Sequence, residues 1–140
     1  KTTMKENISN YLFSKNITHF KSYKNFNNEL GLIFNILNIK FNSTYSIFEL
    51  GISKINEMKK LTNILNPHYV LITNIEDSHI GNFESYKFLM LNKLYLLNSN
   101  RLSFGLIEKA ISKQFSLTLK NGLILTPVKM QKILKYKNRY

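Results

Sequence analysis

The sequence predicts an α/β domain, a mostly parallel sheet flanked by helices and followed by a β-hairpin near the C-terminus. Three observations carry this. Short apolar runs alternate with longer segments of helical periodicity. The short runs are apolar nearly throughout, as strands are when both of their faces are covered. Near the end, "QFSLTLKNGLILTPV" places Asn121-Gly122 between two β-like runs, the strongest short hairpin signal.

Taken in order, Thr2 to Ser14 reads as a helix with Met4, Ile8, Tyr11 and Leu12 on one face. Ile17 to Phe20 is a short strand. "YKNFNNELG", Tyr23 to Gly31, is rich in amides, which suit turns and caps rather than helix interiors. It reads either as a loop and helix cap or as a polar loop shaped to hold a ligand. Glu29 to Leu37 follows as a helix, with Leu30, Phe34 and Leu37 expected inward. Tyr45 to Leu50 is a strand ending in Glu49, with Gly51 beyond it. Ile55 to Leu65 is amphipathic and stops at Asn66-Pro67. Tyr69 to Ile75 is the clearest buried strand, and Phe83 to Leu97 a long helix. The tail "KMQKILKYKNRY" is basic, helical or frayed.

Composition narrows the function classes. The 140 residues suit one domain, and 44% hydrophobic content suffices for a core. No Cys is present, which excludes disulfides and thiolate zinc sites and is compatible with a reducing cytosol. No apolar run reaches the roughly 18 residues of a membrane-spanning helix. The net charge of +12 could signal nucleic acid, but the lysines are scattered and no recognised binding motif accompanies them. Abundant Lys, Asn, Ile, Tyr and Phe is also the bias that AT-rich coding sequence imposes on any protein. A basic nucleic-acid-binding module therefore ranks below the readings that follow. The sequence begins at Lys1 rather than Met, and we expect a piece of a longer polypeptide.

Several residues could carry chemistry. "KTT" opens a helix as a phosphate-binding Lys-Ser/Thr pair does, although a solvated helix start gives the same letters. Glu49 stands at the carboxyl end of a strand, where parallel sheets place ligands, and could hold a magnesium ion; an acid that has reached solvent is the alternative. "TNIEDSHIGNF" offers Asn74 and His79 at the next strand's end. Lys93, in "LMLNKLYLL", either snorkels or is held inside.

As a set, these residues resemble the central ATP-binding domain of the Mur ligase family. Lys1, Thr2, Thr3, Lys5 and Glu6 stand where the family has the end of its P-loop, Gly-Lys-Thr-Thr, and a following Lys-Glu. Asn25, Asn27, Asn28, Glu29 and Gly31 match its Gly-Asn-x-Asn-Asn-Glu-Ile-Gly loop, with Lys24 at the first Gly. "FELG" resembles the strand with the magnesium-binding Glu, and "NEMKKL" its Gly-Glu-Ile segment, with Asn56 for Gly. Pro67, Asn74, Ile75, His79, Phe83 and Ser85 match a further pattern. Lys93 falls where the family has a carbamylated Lys. Ile33 stands for a usual Pro and Tyr95 for an acid, and past Leu97 the pattern is shortened.

The resemblance implies a cytoplasmic, ATP- and Mg2+-dependent amide ligation. The Asn-Asn-Glu loop points to the branch that joins D-alanyl-D-alanine to UDP-N-acetylmuramoyl-tripeptide through an acyl phosphate. It implies that Lys1 neutralises the outer phosphates and that Thr2 and Glu49 hold one Mg2+. His79 and carbamylated Lys93 would hold another. Lys1, Thr2, Thr3, Asn28 and Asn74 would contact the nucleotide, and Asn25, Asn27, Asn28 and Glu29 would form the substrate loop. Residues 1–128 would be part of the central domain, residues 129–140 a tail, with the family's N- and C-terminal domains as intramolecular partners. A truncated, catalytically inactive relative is the competing reading.

Overall fold

The computed structural model describes residues 1–23, 26–73, 83–108 and 122–125. Helix α1, Thr2–Ser14, contains neither Gly nor Pro and ends where Asn16 takes a left-handed conformation, φ 54°. There the Asn16 N–H donates to the Phe13 carbonyl and the Ile17 N–H to that of Leu12, both at 3.0 Å, which satisfies the last turn. Met4, Ile8, Tyr11 and Leu12 are half-buried as their spacing predicts, but the deepest residues of the face are polar, Lys5 and Ser9.

Strand β1, His19–Lys21, pairs in parallel with β2, Tyr45–Ile47, in register His19 with Tyr45. Between them lies α2, Glu29–Leu37, starting at Asn28. Helix α3, Glu57–Leu65, leads to β3, Tyr69–Ile72, and α4, Tyr86–Leu94, begins at the capping Ser85. A 3-10 turn at Tyr95–Asn98 continues α4 where the sequence suggests one long helix. Strands β4, Phe104–Glu108, and β5, Gly122–Leu125, complete a parallel sheet of order β3-β4-β5. Every described strand pair is thus parallel, as expected, but the described strands form two sheets rather than one. The first arm and the Asn121 turn of the expected hairpin lie outside the described residues. The residues expected as its second arm form β5, whose described partner is β4, in parallel.

One expectation fails. Leu30 and Leu37 are 79% exposed and Phe34 is half-exposed, whereas Gly31, Leu32 and Asn35 are buried. The run LIFNIL is apolar on several faces, so hydrophobicity alone does not fix the helix's rotation. Two constraints do, one steric and one polar. A Cβ on Gly31 would lie 2.7 Å from the Phe26 backbone, and Asn35 bonds inward. Phe34 is left to pack its ring against those of Tyr23 and Phe26.

Two apolar clusters hold the layers together. Val70, Ile72 and Ile107 of the β3–β4 sheet meet Met90 and Leu94 of α4. Leu32, Met58, Leu61 and Leu89 join α2, α3 and α4, with Ile52 and Phe83 beside them. Leu61, Leu89, Met90 and Ile107 are fully buried, and burying each such side chain is worth about 1.5–3 kcal/mol. Among the described residues no helix is long and apolar enough to cross a membrane.

Candidate functional site

The site forms where the start of α1 meets the chain just beyond β1 and β2. Lys1 occupies the N-cap position of α1 without a side-chain cap, and the first intrahelical bonds run from the Met4 and Lys5 N–H groups to its carbonyl. The N–H groups of Thr2 and Thr3 therefore precede the helix's own ladder, at the positive end of its dipole. The Thr2 hydroxyl donates to Glu49 Oε1 at 3.1 Å. The ammonium of Lys5, one turn further along α1, lies 3.5 Å from Glu49 Oε2 and donates to the Ser22 carbonyl at 3.2 Å.

This ion pair is buried, with 3% and 8% of the two side chains exposed. Among the described residues, none donates a hydrogen bond to Glu49 Oε2. A buried carboxylate is costly unless paired and bonded, so the charge of Lys5 is what makes Glu49 tolerable there. The Glu49 N–H donates to the Ser22 hydroxyl at 3.3 Å, which fixes the strand end to its neighbour. A buried carboxylate with one oxygen outside any described hydrogen bond, beside a threonine hydroxyl, is a hard-oxygen donor set of the kind Mg2+ takes, as one or two protein groups supplemented by water and phosphate. The residues present therefore fit the ion.

The segment leading into α2 is tied to the same place. The Gly51 N–H donates to the Asn27 carbonyl at 3.2 Å. A Cβ on Gly51 would lie 2.9 Å from Asn27 Nδ2 and 3.4 Å from Lys1 Nζ. Gly51 is thus the residue whose missing side chain lets the Asn27 amide and the Lys1 ammonium approach the strand end.

Lys1, Thr2, Glu49 and Asn27 are accordingly brought together. Thr3 is exposed beside them on α1. Asn28 serves as the α2 cap, its side chain accepting from the Gly31 N–H at 2.9 Å, and Glu29 is exposed in the first turn. Lys93 is half-buried in the last turn of α4, beside Asn92, whose side chain accepts from the Asn56 N–H at 3.0 Å. Asn25, Asn74 and His79 lie outside the described residues. Among the described residues, no three His, Cys, Asp or Glu side chains gather as a metal cluster.

Three contributors are given no role in the site by the sequence reading. Lys5 is matched there to the family's Lys-Glu, and its place between Met4 and Ile8 on the apolar face is a further signal. Ser22 gives none. Asn35 interrupts an otherwise apolar run, and it is fully buried. Its Oδ1 accepts from the Tyr23 N–H at 2.7 Å, and its Nδ2 donates to the Phe26 and Gly31 carbonyls at 3.1 and 2.8 Å.

Parallel strands alternating with helices, with a helix N-terminus, two lysines and one carboxylate converging at the carboxyl ends of β1 and β2, define the class: an α/β domain with a ligand edge suited to anions and hard cations. More particularly, residues 1–122 match the Mur ligase middle domain, and the chain belongs to the Mur ligase family. It is 36% identical over 100 residues to UDP-N-acetylmuramoyl-tripeptide–D-alanyl-D-alanine ligase of Borreliella burgdorferi, covering 71% of this chain and 21% of that protein. It is 31% identical over 129 residues to the ligase of the same name from Rickettsia prowazekii, covering 84% and 28%. The fold matches a crystal structure of MurF from Acinetobacter baumannii with a TM-score of 0.73, at 20% identity, over 90% of this chain and 28% of that one. The chain thus spans between a fifth and three tenths of the length of these relatives.

Proposed function

We propose that this chain is the nucleotide-handling part of an ATP-dependent amide ligase of peptidoglycan precursor synthesis. The enzyme would join D-alanyl-D-alanine to UDP-N-acetylmuramoyl-tripeptide. The observation that carries this reading is the Lys1–Thr2–Lys5–Glu49 cluster at the start of α1, in a chain whose curated relatives bear that ligase's name.

In the reaction, the tripeptide carboxylate attacks the γ-phosphorus of ATP and ADP leaves, giving an acyl phosphate. The dipeptide amine then attacks the acyl carbon and phosphate leaves. Such chemistry depends on positioning and on neutralising charge. Lys1 would supply an ammonium for the outer phosphates, and the Thr2 and Thr3 N–H groups, which precede the helix's own ladder, would donate to the same anion. Thr2 and Glu49 would hold Mg2+, which would neutralise phosphate charge. Asn27, anchored through its carbonyl to Gly51, would present its amide beside Lys1. The assignments of Asn25, Asn28, Glu29, Asn74, His79 and carbamylated Lys93 to loop, nucleotide and second-cation roles rest on the family resemblance.

The test is product formation by the complete polypeptide that carries this domain. ADP release should require both the tripeptide precursor and D-alanyl-D-alanine, and Glu49→Gln should lower kcat at least a hundredfold. ADP release that ignores the dipeptide, or none at all from folded protein, would overturn the reading.

A further inference from the structure

Lys5 stands outside the assigned roles, yet among the described residues it is the one in charge contact with Glu49. It is 4% exposed, held by the Ser22 carbonyl, and pointed at the carboxylate oxygen to which no described residue donates a hydrogen bond. The other oxygen is engaged by Thr2, which brings no charge. A cation ligand whose negative charge is already matched by a buried ammonium attracts a free divalent ion poorly. An incoming polyphosphate changes that balance, because it brings several negative charges to Lys1 and the helix N-terminus.

We propose that Lys5 is a positioning residue that makes cation binding at Glu49 conditional on the nucleotide. It aims the carboxylate and supplies its counter-charge, so the divalent ion is taken up with the phosphates and not before them. The inference rests on the nucleotide and cation reading above. A merely structural ion pair would stabilise the fold but would have no reason to link one ligand to the other.

The probes are Mn2+, read by electron paramagnetic resonance, and ADP, read by calorimetry, with the intact protein and a protein-free Mn2+–ADP blank. Wild type should bind Mn2+ at least tenfold more tightly with ADP present than without it, a difference of about 1.4 kcal/mol. Lys5→Gln removes the charge while its amide can still donate to the Ser22 carbonyl. It should bind Mn2+ alone at least tenfold more tightly than wild type and lose most of the dependence on ADP. Lys5→Arg keeps the charge and should behave as wild type.

Equal Mn2+ affinity in wild type and Lys5→Gln would overturn the proposal. So would wild-type Mn2+ binding that is indifferent to ADP while calorimetry shows ADP bound, a result obtainable even if the Gln variant does not fold. Failure of wild type to bind ADP at all would instead count against the proposed function. In that case the comparison of Mn2+ affinities still decides whether Lys5 governs the carboxylate.

Discussion

Asn35→Ala should destabilise the protein well beyond the loss of one exposed amide, because Asn35 is the clamp on the segment that enters the site. The side chain makes three hydrogen bonds. One, to the Gly31 carbonyl, duplicates a helical acceptor and is worth little. The other two engage the Tyr23 N–H and the Phe26 carbonyl, which bracket the chain between β1 and α2. Each is worth about 0.5–1.5 kcal/mol net, and up to about 3 kcal/mol if its backbone partner is left dry and unpaired. A small cavity at a fully buried position adds about 1 kcal/mol. The expected cost is therefore about 2–4 kcal/mol, read as a shift in the urea midpoint at unchanged m-value. Asn35→Asp keeps the acceptor for Tyr23 but turns a carboxylate oxygen toward two carbonyls, and should cost at least as much. Hydrogen exchange at the Tyr23 amide should accelerate in both variants. A loss below about 0.5 kcal/mol with unchanged exchange would refute the clamp, since an amide so placed cannot be removed without orphaning the Tyr23 donor.

Other consequences are more local. Gly31→Ala should cost about 1–3 kcal/mol by urea unfolding, because its Cβ would meet the Phe26 backbone at 2.7 Å and backbone cannot swing aside. Asn56 has φ 61°, so Asn56→Gly should be neutral within about 0.5 kcal/mol, while a β-branched Asn56→Val should cost about 1–2 kcal/mol in the same assay. The hydrogen bond from Lys21 at 2.6 Å holds the Glu6 carboxyl below its usual value of 4.5, against an opposing effect of burial. A depressed folded-state value contributes stability that is present above about pH 4.5 and lost as pH falls through the lowered value. The pair is partly exposed, so the effect is small. Lys21→Met should flatten this part of the acid unfolding curve, and an unchanged curve would remove the assignment.

The parts legible in the sequence are those that local chemistry decides. The bounds of α1 and α2 follow from an unbroken helix-forming stretch in one case and from the Asn28 cap in the other. β3 follows from its β-branched, apolar letters. Expectation and structure part where a distant group makes the decision. Tyr45 to Leu50 reads as one strand, yet β2 ends at Ile47, and the Glu49 N–H turns to the Ser22 hydroxyl. The rotation of α2 depends on Gly31 and Asn35 meeting the chain ahead of the helix, a contact that no periodicity encodes. Lys5 is matched to the family's Lys-Glu, but its pairing with Glu49 is not legible for the same reason, because that partner lies 44 positions away in a different element. Asn56 shows the reverse case. Its place where the family has Gly looks like a loss, but the left-handed backbone found there is one that Asn tolerates better than other side chains do.

The amide-rich stretch before α2 now divides into separate jobs. Asn28 caps the helix, and Asn27 gives its carbonyl to Gly51 and its side chain to the space beside Lys1. Asn35 reaches back to hold the Tyr23 and Phe26 backbone. The cap-and-turn reading and the ligand-loop reading are therefore not rivals. Capping fixes where α2 begins, and the Asn35 clamp fixes the chain ahead of it. The Asn27–Gly51 bond then links that chain to the strand end that bears Glu49, while Thr2 and Lys5 link the same carboxylate to α1. The amide segment is thus tied by one backbone bond to Gly51, two residues from the carboxylate. If the chain serves the ligase proposed above, a substrate held by this segment would bear on the phosphate end through these bonds, and nucleotide use would be tied to the presence of the acceptor.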